Sequence, residues 1–253
     1  MVLAIDIGNT NVVIGLFDGK EWVETWRIES KKNENLLFYS YKINNFLWEA
    51  GIDVKDIELK VFSTVVPDLK DLFFELLENL NDSKLVVVDK NVFDKLRIVI
   101  TNQDEIGADL VANAVGAHYL YSENIIIIDF GTALTFTVIN NAGLLIGVNI
   151  APGLKTAINA LVGNTAQLPK VDLIMPMNPV GTNTVEAIQN GVLIGYVGLV
   201  KYMIKVINSH LEEDFKVVVT GGLSQVIAPH IGAIDYVEPN LTLYGLKYIA
   251  ESL

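Results

Sequence analysis

An internal echo constrains this chain more than any single motif. The apolar run Val2 to Ile5 leads into Asp6-Ile7-Gly8-Asn9-Thr10, resumes as Val12 to Phe17 and breaks at the turn pair Asp18-Gly19. Ile125 to Ile128, Asp129-Phe130-Gly131-Thr132, Thr135 to Ile139 and Asn140-Asn141 repeat that order at nearly the same offsets. Short β-branched runs closed by Asp, Asn and Gly read as strand, tight turn, strand and hairpin. Repetition of a whole supersecondary unit predicts two similar domains, residues 1–118 and 119–253, meeting near residues 118–124.

Strands and helices alternate between the copies, which places the chain in the α/β class. Trp22 to Ile28, Leu59 to Thr64 and Leu85 to Val88 read as strands, and Glu34 to Ala50 and Lys70 to Leu80 as helices. Residues 110–121 form another helix with Asp109 at its N-cap position. In the second half, Val185 to Val206 is a long helix whose Gly191, Gly195 and Gly198 would permit close packing, and Lys216 to Val219 is a strand.

The length of 253 residues is enough for a large core, and 51% hydrophobic with 19% charged residues excludes a disordered chain. A formal charge of −12 repels polyphosphate backbones, so neither nucleic acid nor an anionic membrane surface is expected as a partner. With no cysteine, disulfides, thiolate metal sites and thiol nucleophiles are excluded together. Ile125 to Leu154 carries Asp129 as its only charge, yet its turn residues divide it into three buried strands instead of a membrane span. Met1 to Asp6 lacks the basic start of a secretory leader, so a cytoplasmic location is expected.

There is no G-x-x-x-x-G-K-[ST] and no G-x-G-x-x-G, and His118, His210 and His230 are scattered without metal-ligand spacing. The chemistry therefore rests on the two Asp-x-Gly turns. A glycine after a buried strand lets the backbone turn tightly and direct N–H groups at an anion, and an aspartate at the strand end can hold a metal or its waters. One such turn is compatible with an ordinary hairpin; two copies after apolar strands point to a phosphate site. Thr220-Gly221-Gly222, after Val217 to Val219, would let a nucleoside approach the backbone closely.

Asp6-Ile7-Gly8-Asn9-Thr10-Asn11, Asp129-Phe130-Gly131-Thr132-Ala133 and Thr220-Gly221-Gly222 resemble the two phosphate motifs and the adenosine motif of the actin, hexokinase and heat-shock-chaperone superfamily. From end to end the chain resembles the type III pantothenate kinase family. Ser63-Thr64-Val65-Val66-Pro67, Gly107-Ala108-Asp109, Asn113-Ala114-Val115, Ala151-Pro152-Gly153-Leu154, Thr165-Ala166-Gln167-Leu168-Pro169, Asn183-Thr184-Val185-Glu186-Ala187 and Leu241-Thr242-Leu243-Tyr244-Gly245-Leu246 fall in that family's order.

The resemblance implies two ribonuclease-H-like domains with mixed sheets flanked by helices and an ATP cleft between them. It implies a homodimeric kinase that phosphorylates the primary hydroxyl of pantothenate at the first step of coenzyme A biosynthesis, using ATP with Mg²⁺ and a monovalent cation, K⁺ or NH₄⁺. By that resemblance Asp6, Ile7, Gly8, Asn9, Thr10, Asn11, Val12 and Val13 form the first ATP loop, Gly131 and Thr132 the second, and Gly221 and Gly222 the adenosine contact. Asp129 corresponds to the monovalent-cation ligand. Gly107, Ala108, Asp109 and Leu110 line the acceptor, with Asp109 as proton acceptor, and Thr184 is a substrate contact delivered across a dimer interface.

Read by its residues alone, Asp109 is a capping aspartate held ionised by a helix N-terminus, hence a weak base. That suffices where phosphoryl transfer passes through a loose transition state. The chain departs from the family at three positions: Leu110 replaces an arginine, Ile100 a tyrosine and Thr137 an aspartate. Arg27 and Arg97 are its only arginines, and Lys155 is a candidate stand-in. A charge-assisted hydrogen bond is worth about 1.5–3 kcal/mol, so losing one weakens acceptor binding roughly 10- to 150-fold without ending the chemistry. Two other readings stay open: a kinase of the same fold acting on a less anionic alcohol, and a non-catalytic nucleotide-binding regulator.

Overall fold

The echo in the sequence becomes a repeated sheet. In the computed structural model, which describes residues 1–165 and 167–253, β1 (Val2–Ile7), β2 (Asn11–Phe17) and β3 (Trp22–Glu29) form an antiparallel meander. Helix α1 (Leu36–Glu49) follows, and then β4 (Leu59–Thr64), which lies parallel to β1 on its other side. Asn35 starts α1 by accepting from the Phe38 N–H, and Pro67 opens α2 (Pro67–Glu78), earlier than the Lys70 start read from periodicity. β5 (Lys84–Val88), the single turn α3 (Lys90–Phe93) and α4 (Ala108–Tyr121) complete this run, giving the sheet order β3-β2-β1-β4-β5.

The second run repeats it. β6 (Ile125–Phe130), β7 (Ala133–Ile139) and β8 (Leu145–Pro152) are antiparallel neighbours, and β9 (Lys216–Thr220) and β10 (Tyr236–Val237) add in parallel, giving β8-β7-β6-β9-β10. Its helices are α5 (Leu154–Gly163), α6 (Thr184–Gln189), α7 (Gly195–Leu211) and α8 (Ser224–Ile231), with a π-helical segment, Asn190–Ile194, joining α6 to α7. The expected three strands between Ile125 and Leu154 are present, but β8 is an edge strand and not buried: Ile146 and Ile150 are 42% and 69% exposed. Ala166, within the Thr165 to Pro169 segment quoted above, lies outside the described residues.

Alternation along the strands sends one set of side chains into a core. In the first sheet Leu3, Ile5, Ile7, Val12, Ile14 and Phe62 pack with Tyr39 and Ile43 of α1 and Phe73 of α2. The opposite face, which carries Ala4, Asp6, Gly15 and Ser63, receives the last helix, α9 (Leu241–Ser252). Helix α9 lies so close to α4 that a Cβ on Gly245 would collide with the Ala112 backbone, and one on Gly116 with the carbonyl of Leu241. The Thr242 hydroxyl also donates to Asn113 Oδ1 at 2.7 Å.

Those contacts alter the domain limits. The chain forms two compact units, Met1–Leu120 with Leu241–Leu253, and Tyr121–Asn240. The second half was expected to run to residue 253, yet its final helix belongs to the first unit.

A second difference concerns the long helix. It runs continuously from Thr184 to Leu211 and is long and apolar enough, by length and composition alone, to cross a membrane, with 28% of its most apolar stretch buried. No atom lies within 4 Å of where a Cβ would stand on Gly191, Gly195 or Gly198, so these glycines do not serve close packing within the chain.

Candidate functional site

In the first unit the site begins at the end of β1. Gly8 N–H donates to the Asn11 carbonyl at 2.9 Å, closing the turn between β1 and β2, and Ser30 ties it down by donating its N–H to Thr10 and its hydroxyl to Gly8. Asn9 and Thr10 are exposed, whereas Ile7 and Val12 are fully buried. Of the loop residues expected to meet a nucleotide, Ile7 and Val12 can therefore do so only through their backbone. Asp6, half-buried, accepts from the Ser63 hydroxyl at 2.9 Å, because parallel pairing sets Asp6 of β1 opposite Ser63 of β4. The strand register thus gives Ser63 a role, holding Asp6 in place, that its own sequence neighbourhood does not reveal.

Asp109 lies in the same unit, within the first turn of α4 and one residue inside the helix start. It is not an N-cap. Its Oδ1 accepts from the Leu110 N–H at 2.8 Å, and Gly107 sits between this carboxylate and Val65, the residue after β4. Ala108, Leu110 and Ile100 are each at most 9% exposed. Burial raises the Asp109 pKa above its ordinary value, opposed by the Leu110 backbone N–H, so desolvation outweighs the helix terminus. The expectation of a firmly ionised, weak base is corrected accordingly: the group is a stronger base than a solvated aspartate.

In the second unit the corresponding turn closes when Gly131 N–H donates to the Ala133 carbonyl at 3.1 Å. Thr132 is exposed, and its carbonyl accepts from Gly153 N–H at 3.0 Å and from the Thr156 hydroxyl at 2.6 Å. Gly221, at φ +89°, lies against the Asp129 carboxylate and the Phe130 backbone with no room for a Cβ. Its glycine is thus required by the fit of β9 beside β6, whatever approaches from outside. Antiparallel pairing sets Thr135 opposite Asp129, and the Thr135 hydroxyl is buried without a hydrogen-bond partner. An unpaired buried hydroxyl beside a carboxylate suits an oxygen-ligated cation.

Thr184 is placed elsewhere in this unit. It opens α6, where Asn183 accepts from the Glu186 N–H and Glu186 accepts in return from Thr182, a reciprocal cap at the helix start. The exposed Thr184 lines an open pocket of about 520 Å³ together with Leu161, Leu168, Asn183, Ile188 and Gly191.

The sequence profile described as type III pantothenate kinase matches residues 2–206. Type III pantothenate kinase of Moorella thermoacetica is 37% identical over 251 residues, 99% of each chain, and that of Dehalococcoides mccartyi strain CBDB1 is 37% identical over 248 residues, 98% of this chain and 94% of the other. Among solved structures, a Campylobacter jejuni protein described as a Baf family transcriptional activator superposes with a TM-score of 0.61 at 20% identity, covering 98% of this chain and 97% of its own. The activator of 2-hydroxyisocaproyl-CoA dehydratase from Clostridium difficile, solved with ADPNP, gives 0.52 at 13% identity, covering 99% and 95%. These two likenesses speak for the fold. The profile match and the full-length identities, together with two Asp-x-Gly turns at the same place in two like sheets, establish that the chain belongs to the type III pantothenate kinase family.

Proposed function

We propose that this chain transfers the γ-phosphoryl group of ATP to the primary hydroxyl of pantothenate, the first step of coenzyme A biosynthesis, as a cytoplasmic homodimer. The observation that carries the reading is Asp109: a carboxylate in the first turn of α4, fixed by the Leu110 N–H, flanked in the chain by the buried Ala108 and Leu110, and raised in pKa by desolvation. In this reaction the acceptor oxygen bonds to the γ-phosphorus as the bond to the ADP oxygen breaks, and the hydroxyl proton passes to Asp109. Gly107 keeps the carboxylate against the β4 end, where the acceptor hydroxyl would lie.

In the first unit the turn amides and side chains of Gly8, Asn9, Thr10 and Asn11 would take phosphate oxygens; in the second unit, taken by itself, the Gly131 and Thr132 turn offers the same kind of site, and Gly221 and Gly222 would lie beside an adenosine. Among the described residues no three His, Cys, Asp or Glu side chains gather as a metal site, which suits a Mg²⁺ that arrives on the nucleotide. Asp129 and the unpaired Thr135 hydroxyl would hold the monovalent cation, which offsets phosphate charge.

A homodimer is supported by Gly191, Gly195, Gly198 and Tyr202, which form an exposed stripe along the Thr184–Leu211 helix, with Thr184 at its start. Purified protein with ATP, Mg²⁺ and K⁺ should release ADP only when pantothenate is added. No ADP release at millimolar pantothenate overturns the proposal.

A second reading, a less anionic acceptor, draws on the apolar Ile100 and Leu110 and on the position of Arg97, which lies over the Tyr119 ring near the far end of α4 from Asp109. ADP release across a panel of small alcohols decides between them, and a preference for pantothenate rejects the second.

A further inference from the structure

The strand register places an arginine beside the first phosphate turn. Asp6 of β1 pairs with Val13 of β2, and Val13 pairs with Arg27 of β3. Directly paired residues project to the same face, so Asp6, Val13 and Arg27 form one row across three strands, extended by Ser63 on the other side of Asp6. The Ser63–Asp6 hydrogen bond confirms that face. Trp26 and Ile28, alternate to Arg27, turn instead into the core beneath α1 and α2.

We propose that Arg27 is a further substrate-binding residue of the kinase reaction, its guanidinium taking the anionic oxygens of the nucleotide's polyphosphate. The inference rests on the kinase reading above. Helix α9 covers this face over β1 and β4 and reaches Gly15 through Leu243, but toward the turn Asn11 and Val13 are only half-buried and Arg27 is exposed. Arg27 makes no ion pair among the described residues, although Glu29 stands two positions along the same face. No Lys or Arg occurs in Asp6 to Val13, in Asp129 to Ala133 or in Thr220 to Ser224, so an anion at those turns meets no side-chain cation of their own. Arg97 is committed elsewhere, over Tyr119. Arg27 is thus the one arginine free to face a polyphosphate, in a geometry that favours bidentate contacts.

Position also separates donor from acceptor. Asp109 lies against the end of β4, on one side of Asp6, and Arg27 lies on the other side, two strand spacings or about 10 Å from it across the sheet. The phosphates at the Gly8 turn are therefore nearer to Arg27 than an acceptor held at Asp109.

The test is a kinetic and binding comparison of Arg27→Ala and Arg27→Lys with the unmodified protein. Arg27→Ala should raise KM for ATP about tenfold, the loss expected for one charge-assisted contact, with KM for pantothenate and the thermal midpoint unchanged, and Arg27→Lys should fall between. At equilibrium ADP should bind about tenfold more weakly to Arg27→Ala while adenosine binds equally to both. An unchanged KM for ATP, a rise in KM for pantothenate instead, or equal weakening of ADP and adenosine overturns the inference. Should the unmodified protein phosphorylate nothing, the kinase reading falls, and the ADP-against-adenosine comparison still decides the role of Arg27.

Discussion

Asp109 separates two requirements that sequence reading had joined, the start of a helix and the supply of a base. Burial holds its pKa above the ordinary carboxylate value, so the charged base is the form that the fold accommodates less well. A carboxyl with a raised folded pKa lends stability below its unfolded pKa, and that stability is lost as pH rises through the folded value. At neutral pH the ionised Asp109 therefore opposes folding, and Asp109→Asn should raise the thermal midpoint at pH 7, with the gain shrinking toward pH 4. The same variant should lose kcat by about 10²–10⁴, the range for removal of a general base. The kcat of the unmodified protein should fall as pH drops, at a pH above that at which a solvated aspartate titrates. A thermal midpoint lowered at pH 7 by Asp109→Asn would mean that the carboxylate is structural.

At the scale of elements, glycines in two pairs of helical segments behave oppositely. Gly116 and Gly245 let α4 and α9 meet backbone to backbone, whereas Gly191, Gly195 and Gly198 face open space. Gly245→Val should therefore lower stability by about 1–3 kcal/mol or more, as overpacking does, seen as a lower urea midpoint without change in slope; an unchanged midpoint would refute the α4–α9 fit. This contrast marks what the sequence could and could not supply. Strand identity, the mixed sheets and both Asp-x-Gly turns were legible, because alternation, β-branched runs and Asp-Gly punctuation act within a few residues. Which glycines are close-packed within the chain was not legible, because the same residue type serves both helices and only a contact distant in sequence tells them apart. For that reason, too, α9 was placed with the second half and Ser63 had no role: a partner 57 residues away is set by register, which no local pattern states. The raised pKa of Asp109 was hidden likewise, since desolvation depends on what the fold packs around the start of α4 and not on the residues beside Asp109 in the chain.

For the whole molecule, the pairing of chains is the main consequence to test. If Thr184 serves its partner's Asp109, mixing Asp109→Asn protein with Thr184→Arg protein after mild dissociation should restore activity, because each mixed pair holds one site with both residues intact. Each variant alone should be inactive, and a mixture as inactive as its parents would place Thr184 within its own chain. The two-unit division bears on how the chain reaches this state. The first unit is interrupted between Leu120 and Leu241, so for α9 the 120 residues of the second unit are one long loop. Closing a flexible loop of that length costs about 4 kcal/mol of chain entropy, a cost that shrinks once the second unit has folded and drawn its own ends together. Docking of α9 against Gly116 and Ala112 is thus a late event in assembly. In pulse-labelled refolding, the amides of α9 should gain protection after those of β6 and β7, although α9 becomes one of the most buried helices of the finished protein.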